Sequence, residues 1–357
     1  MPRILFDIGH PGHVHLFRNP SNILKDRGWE ISILARYKEV TQSLLEDYRI
    51  SYIPGTRKKS GVFSLLELFQ WFIVARREIM EHKIDIMASF GSPAGAWAAK
   101  VCSIPHLAFN DTETALSQRL LYKPASTRIY TPACILADFG PKQVRYNGTH
   151  DLAYLRPEWF TPDISVKKEL GLGMDESYVL LRLVSWEATH DWGKKGTGVD
   201  FKRKIASIAL ERHHLYISAE GQLPADLEQY RLRIRPYRLH DAMAFASAVV
   251  GDGSTTMTEA AALGVPALYI SPFADSFGVI RFYKKYGLLS SVKSEIEGIQ
   301  ELRNILNKPD IETRARQRNR MLSETIDVAK YIADQCEMDY HDLSFPRRRE
   351  SRNTKKL

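Results

Sequence analysis

Short apolar runs alternating with helix-period segments constrain this chain more than any other feature. Residues 4–8 read as a buried strand, followed by a Gly/His/Pro loop and a helix that stops at Arg27-Gly28, with Gly28 as the residue past its end. Residues 31–34 and 51–53 read as further strands, and 65–82 as a long amphipathic helix. Residues 85–90, a small-residue helix over 94–102 and residues 106–109 complete strand, helix, strand. Repeated βαβ units predict a mostly parallel sheet with helices on both faces. The pattern weakens between 145 and 176, where Pro157 and Pro162 fall, so a linker is placed at 151–176. A second series follows, with strands at 178–184, 215–218, 248–251 and 267–270 and helices at 201–212, 240–246 and 256–263. The expectation is an α/β protein of two doubly wound domains, 1–150 and 177–337. The second includes a polar C-terminal helix, and a basic disordered tail follows over 338–357. Two such domains facing each other leave a central cleft at the carboxyl ends of their strands, where open α/β sheets bind ligands.

Charge narrows the partners. The formal net charge is +8, but the last twelve residues hold six basic side chains against Glu350 and so supply five of those charges. The body lacks the strong basic excess of a nucleic-acid binder. Cys102, Cys134 and Cys336 lie far apart with no CxxC, which fits reduced thiols and not a disulfide framework or zinc ribbon. The N-terminus enters a strand pattern directly, and the most apolar stretch, 62–75, contains Glu67 and Gln70 and is too short to span a bilayer. A cytoplasmic protein, with at most a peripheral place at the inner membrane face, is expected.

The segment from Gly251 to Ile270, GDGSTTMTEAAALGVPALYI, is the strongest local signal. A strand runs into Gly251-Asp252-Gly253-Ser254-Thr255-Thr256, and an alanine-rich helix begins. Gly251 and Gly253 permit a tight turn and a close ligand approach. Ser254, Thr255 and Thr256 bring hydroxyls and N–H groups to the positive end of a helix, which suits a diphosphate. Glu259, a turn further on, lies within reach of a ribose. The same residues also fit an ordinary helix start, with Thr255 or Thr256 as N-cap and Glu259 as capping-box partner.

Gly253-Ser254, Thr258-Glu259 and Gly264-Val265-Pro266 together resemble the nucleotide-sugar signature in the C-terminal domain of GT-B proteins. The segment is similar to that of the N-acetylglucosaminyltransferase of peptidoglycan-precursor synthesis, and UDP-N-acetylglucosamine 2-epimerases carry a related form. The resemblance implies two Rossmann-like domains, phosphate contacts at Gly253 and Ser254, and ribose contacts at Glu259. Thr255 departs from the small residue often found there. Gly12-His13-Val14 matches a triplet in the glycine-rich loop of the same transferases, which adds Gly12 to the phosphate candidates. The loop 185–190 corresponds to one that faces the donor, making His190 a phosphate or sugar contact, with Trp186 open to stacking or packing. Arg182 precedes that loop and either meets the diphosphate or snorkels from the sheet. By the same resemblance Leu239 contacts the nucleobase.

For chemistry, His13 at a strand's carboxyl end is placed to act as a base or a diphosphate donor. Asp111 and Glu113, after the strand 106–109, either serve the site or start a helix. Gly91-Ser92-Pro93 is an acceptor loop or a turn. His10, His13 and His15 do not form a metal set, and the absence of a DxD triplet also argues against a metal-dependent transferase. The resulting expectation is a metal-independent glycosyltransferase using a UDP-sugar, with no further cofactor, and a carbohydrate or lipid-linked acceptor. His13 or Asp111 would be its base. An NDP-sugar 2-epimerase using Asp111 and Glu113 is the main alternative, and a non-catalytic nucleotide-sugar-binding protein the second. The segment 63–80 is a buried crossover helix or a peripheral membrane patch.

Overall fold

A computed structural model describes residues 1–57, 63–113, 115–183, 199–219, 221–308 and 310–353. The chain divides into two compact units. One comprises Met1–Tyr154 with Ile326–Leu357, and the other Leu155–Thr325.

In the first unit seven strands form one sheet. They are β1 (Arg3–Ile8), β2 (Glu30–Tyr37), β3 (Ile53–Arg57), β4 (Ile86–Ser89), β5 (His106–Phe109), β6 (Arg128–Pro132) and β7 (Gln143–Tyr146). Their order is β3-β2-β1-β4-β5-β6-β7, and every pairing is parallel. Because both faces are covered, β1 can be apolar without alternation, and Ile4, Leu5 and Phe6 are all fully buried. One face packs Leu5, Leu34 and Met87 under Trp71, Ala75 and Ile79 of helix Phe63–Glu81 and Ala94, Ala98 and Ala99 of helix Pro93–Val101. The strand order reverses between β1 and β4.

The second unit repeats the plan with β8 (Tyr178–Leu183), β9 (His214–Ala219), β10 (Ala248–Gly251), β11 (Ala267–Ile270) and β12 (Leu289–Val292). The order is β12-β11-β10-β8-β9, again all parallel, and it reverses between β8 and β10. Phe201, Ile205 and Ala209 of helix Val199–Leu210 cover Val179, Leu181, Val250 and Leu268. Among the described residues no helix is long and apolar enough to cross a membrane.

Three sequence expectations change. The expected linker 151–176 is divided between the units at Tyr154, and its larger part is fastened to the second unit, where the Arg238 guanidinium binds Asp163 (3.1 Å), Glu169 (2.9 Å) and the Ser165 hydroxyl (2.8 Å). The C-terminal helix, Val328–Asn353, belongs to the first unit and not the second. It also continues past 337, where a disordered tail was expected to begin. Its attachment is polar as well as apolar. Tyr130 Oη donates to Asp339 Oδ2 at 2.7 Å, Arg128 pairs with the same fully buried carboxylate, and Arg27 binds Asp334 and Glu337. Burial pushes the Asp339 carboxyl upward, and Tyr130 and Arg128 oppose that push. Removing a donor from a buried acceptor exposes its desolvation cost. Tyr130→Phe is therefore expected to destabilise the chain by about 2 kcal/mol in urea denaturation, with the sheet otherwise intact.

Candidate functional site

The signature segment sits where the second sheet reverses. Gly251 ends β10 opposite Arg182 of β8, and a Cβ on Gly251 would lie 2.1 Å from the Arg182 carbonyl oxygen. This glycine is explained by strand approach, not by ligand approach. Helix Ser254–Leu263 starts immediately after, two residues earlier than expected, with Gly253 in the N-cap position (φ −92°, ψ 108°) and no side-chain cap. The N–H groups of Ser254, Thr255 and Thr256 have no carbonyl partner inside the helix. Thr256 is buried, Ser254 is half-buried and Thr255 is exposed. Neither Thr255 nor Thr256 is the cap.

Glu259 is not a capping-box partner either. It is buried, and its Oε1 lies 3.1 Å from His240 Nε2. His240 follows Leu239, the first residue of helix Leu239–Ala244, and is also buried, with Phe160 edge-on at 6.0 Å. That helix is steadied by Arg238, which reaches Asp241 at 2.7 Å besides Asp163 and Glu169. The far half of the signature is architectural. Gly264 ends the helix with φ +82°, its N–H bonds to Ala261 O, and Val265 N–H bonds to Ala260 O. Arg318 Nε then donates to Ala262 O at 2.8 Å, placing a cation at the negative end of the helix. Arg182 donates to Ser218 Oγ at 2.9 Å on β9, so it is held at the carboxyl end of the sheet. His190 and Trp186 lie outside the described residues.

In the first unit the loops after β1, β4, β5 and β7 share one edge. His13 follows β1 and stacks on Phe90, which follows β4, with centroids 4.5 Å apart at 18°. The two flank the reversal point of this sheet. His13 Nδ1 accepts the Gly9 N–H at 3.2 Å. Burial, with smaller contributions from His10, His150, Arg36 and Lys38, pushes the His13 imidazole well below its usual range. His10 caps the helix Pro11–Asp26 by accepting the Gly12 N–H at 3.2 Å, which engages that N–H internally and weakens Gly12 as a phosphate donor. His15 packs against Tyr154. Asp7 accepts from Trp71 Nε1 at 3.0 Å, and Ser92 caps the helix Pro93–Val101.

Asp111 and Glu113 part company. Glu113 Oε1 accepts the Leu136 N–H at 2.8 Å and so braces a loop, whereas Asp111 Oδ2 lies 3.3 Å from Nδ1 of buried His150. His150 lies edge-on to Phe90 at 5.4 Å, completing a group of His13, Phe90, His150 and Asp111. Nearby, burial and then Asp111 push the Cys134 thiol up to about 12, so it stays protonated. His150 and His240 escaped sequence reasoning. One falls where periodicity fades, and the other directly follows a residue chosen for its backbone.

No family model matches the chain, and no curated protein matches it by sequence. Solved structures match over nearly its full length. The UDP-GlcNAc 2-epimerase of Neisseria meningitidis, bound to UDP-GlcNAc, has a TM-score of 0.66 at 14% identity over 93% of this chain and 99% of its own. The MnaA–UDP co-structure from S. aureus reaches 0.69 at 12% identity over 96% and 98%. MurG of Acinetobacter baumannii gives 0.59 at 17% identity over 95% and 100%. The fold is GT-B-like. Identities this low carry architecture, not activity.

One buried histidine in the first unit couples stability to pH. His106 lies 2.9 Å from both Ser89 Oγ and Ser126 Oγ, and burial pushes its imidazole down to about 3. Below an unfolded-state value of about 6.5 the unfolded chain binds a proton that the folded chain refuses. Stability is therefore expected to fall as pH drops from about 6.5 toward 3. His106→Gln should flatten that slope in denaturation curves measured across the window.

Proposed function

We propose that this chain is a metal-independent glycosyltransferase that takes a UDP-sugar as donor and a carbohydrate or lipid-linked hydroxyl as acceptor. The observation that carries the reading is the buried Glu259–His240 pair, set one turn beyond an uncapped helix start at the reversal point of the second sheet. Open N–H groups at a helix start suit a diphosphate, and Ser254 and Thr256 add hydroxyls. A carboxylate has several lone-pair sites, so the contact to His240 does not by itself bar Glu259 from ribose hydroxyls. Arg182 adds a cation, and Leu239 lies beside His240 as the base contact. Several proteins with this fold were solved with UDP or UDP-GlcNAc, which supports the nucleotide.

Transfer and epimerisation place different demands on Asp111 and Glu113. Epimerisation at C2 calls for acid–base groups on both faces of the sugar carbon. Here Asp111 lies against His150 and Glu113 braces Leu136, and the transferase reading gives the proton-accepting role to Asp111 alone. In transfer the acceptor O–H gives its proton to a base as its oxygen bonds to the anomeric carbon. The bond from that carbon to the diphosphate oxygen breaks, and its electron pair leaves with the diphosphate.

UDP is expected to raise the melting temperature of the parent chain, and Glu259→Ala to weaken UDP binding at least about tenfold. Incubation with UDP-N-acetylglucosamine in deuterated water should put no deuterium at C2. Exchange there without an acceptor would replace the transferase reading with the epimerase one. UDP binding without turnover of any donor and acceptor pair would leave a non-catalytic binding protein.

A peripheral membrane contact is the second part of the proposal. Helix Phe63–Glu81 buries Trp71 and Ala75 yet exposes Leu66, Phe69, Ile73 and Met80 at helical spacing. Trp97 and Leu120 on neighbouring helices are exposed too, with Lys100 over the Trp97 ring at 4.7 Å and Lys100 and Lys123 acting electrostatically on Lys142. Apolar side chains beside cations match an anionic lipid surface. Sedimentation with phosphatidylglycerol vesicles is expected to carry down the parent chain and to lose most of the Phe69→Ser, Ile73→Ser double variant.

A further inference from the structure

Two histidines at the carboxyl edge of the first sheet have their ring protons placed by opposite constraints. His13 Nδ1 accepts the Gly9 N–H, so that nitrogen bears no proton. The ring is held neutral, chiefly by burial, and its one proton therefore sits on Nε2. In that state His13 offers a donor, not a base. His150 is the reverse case. Its Nδ1 lies 3.3 Å from Asp111 Oδ2, while Nε2 is buried with no hydrogen-bond partner among the described residues. A proton on Nε2 would be a buried donor without an acceptor, and it would leave the bare Nδ1 lone pair facing a carboxylate oxygen. Both penalties vanish when the proton sits on Nδ1.

We propose that His150 is a positioning residue, whose Nδ1–H holds Asp111 in place as the base for the acceptor hydroxyl, while His13 acts as a neutral hydrogen-bond donor. The role given to Asp111 rests on the transferase reading above, whereas the two ring tautomers do not. Exposure separates the partners. The Asp111 side chain is 27% exposed and that of His150 only 6%, so Asp111 is the member a substrate can touch. His150 is fixed in its plane by Phe90 edge-on at 5.4 Å and by the nearly parallel Tyr146 ring at 6.3 Å. Its position four residues after Tyr146, the last residue of β7, brings it to the edge that Asp111 reaches from β5. During transfer the acceptor proton moves to the Asp111 carboxylate, and the His150 Nδ1–H stays where it is.

The test uses the full chain labelled with nitrogen-15 histidine, with His13→Asn and His150→Phe spectra supplying the assignments. Two-bond proton–nitrogen spectra are expected to show His13 as the Nε2–H form and His150 as the Nδ1–H form, the minority tautomer of free imidazole. In Asp111→Leu, which removes the acceptor, His150 should leave the Nδ1–H form. An Nε2–H or doubly protonated His150 in the parent, or an Nδ1–H signal that survives Asp111→Leu, overturns the positioning. Its use is read from UDP release out of UDP-N-acetylglucosamine, with water as acceptor. His150→Phe keeps the ring stacking and is expected to lower kcat at least 100-fold with KM unchanged. His150→Gln, whose amide N–H can still reach Asp111, should recover at least tenfold of that loss. A His150→Phe variant as fast as the parent overturns the role, and so does an equal loss in both variants when each melts like the parent. A parent that neither binds nor turns over a UDP compound instead removes the transferase reading and Asp111's acceptor with it, while the spectra still report the tautomers.

Discussion

Parallel strand pairing is the constraint on which the rest of this structure depends. Each parallel neighbour needs a crossover that returns the chain to the same starting edge, so all the loops that follow strands collect at the other edge. Seven strands in one unit and five in the other obey this without exception among the described residues. His13, Phe90, Asp111 and His150 are separated by as much as 137 positions along the chain. They become neighbours because each follows a strand of one sheet. The reversal in strand order then opens the gap beside which His13 and Phe90 stack.

The same geometry divides the Gly251–Ile270 segment into parts with different purposes. Gly251 serves the sheet, because only a residue without Cβ lets β10 lie against the Arg182 carbonyl. Gly264 serves the helix end, where a left-handed residue stops the helix before the next strand. Gly253 and Glu259 serve neither of these ends. A glycine cap supplies no side chain to the opening N–H groups, and Glu259 turns toward His240 instead of folding back on the helix start. Of the two readings that the local sequence permits, a capped helix and an anion site, this arrangement removes the first as drawn from Thr255 or Thr256.

Much of the architecture was legible because buried parallel strands are runs of apolar residues, and β1, β5, β10 and β11 announce themselves in that way. Strands β6, β7 and β12 did not. Arg128, Gln143, Arg145 and Ser290 interrupt their apolar character, and β7 and β12 are edge strands with one side uncovered. The domain boundary was misread for a related reason. A polar helix from Val328 gives no sign of its partner, and contacts made only in the folded chain, such as Asp339 with Tyr130 and Arg128 and Arg27 with Asp334 and Glu337, tie it to the first unit.

Composition and periodicity by themselves determined the class of this protein, two doubly wound α/β units, and left the glycine turn at Gly251–Thr256 open between a capped helix and an anion site. Local spacing suffices for that, since strand and helix periods and glycine conformations are properties of short segments. Tertiary structure alone decided which polar side chains meet. Asp111 and Glu113 stand two residues apart, yet one faces His150 and the other braces Leu136. His240 is nineteen residues from Glu259 and lies against it. Such pairings depend on which strand ends the sheet order brings together and on which donors remain unpaired after burial, and no stretch of sequence carries either.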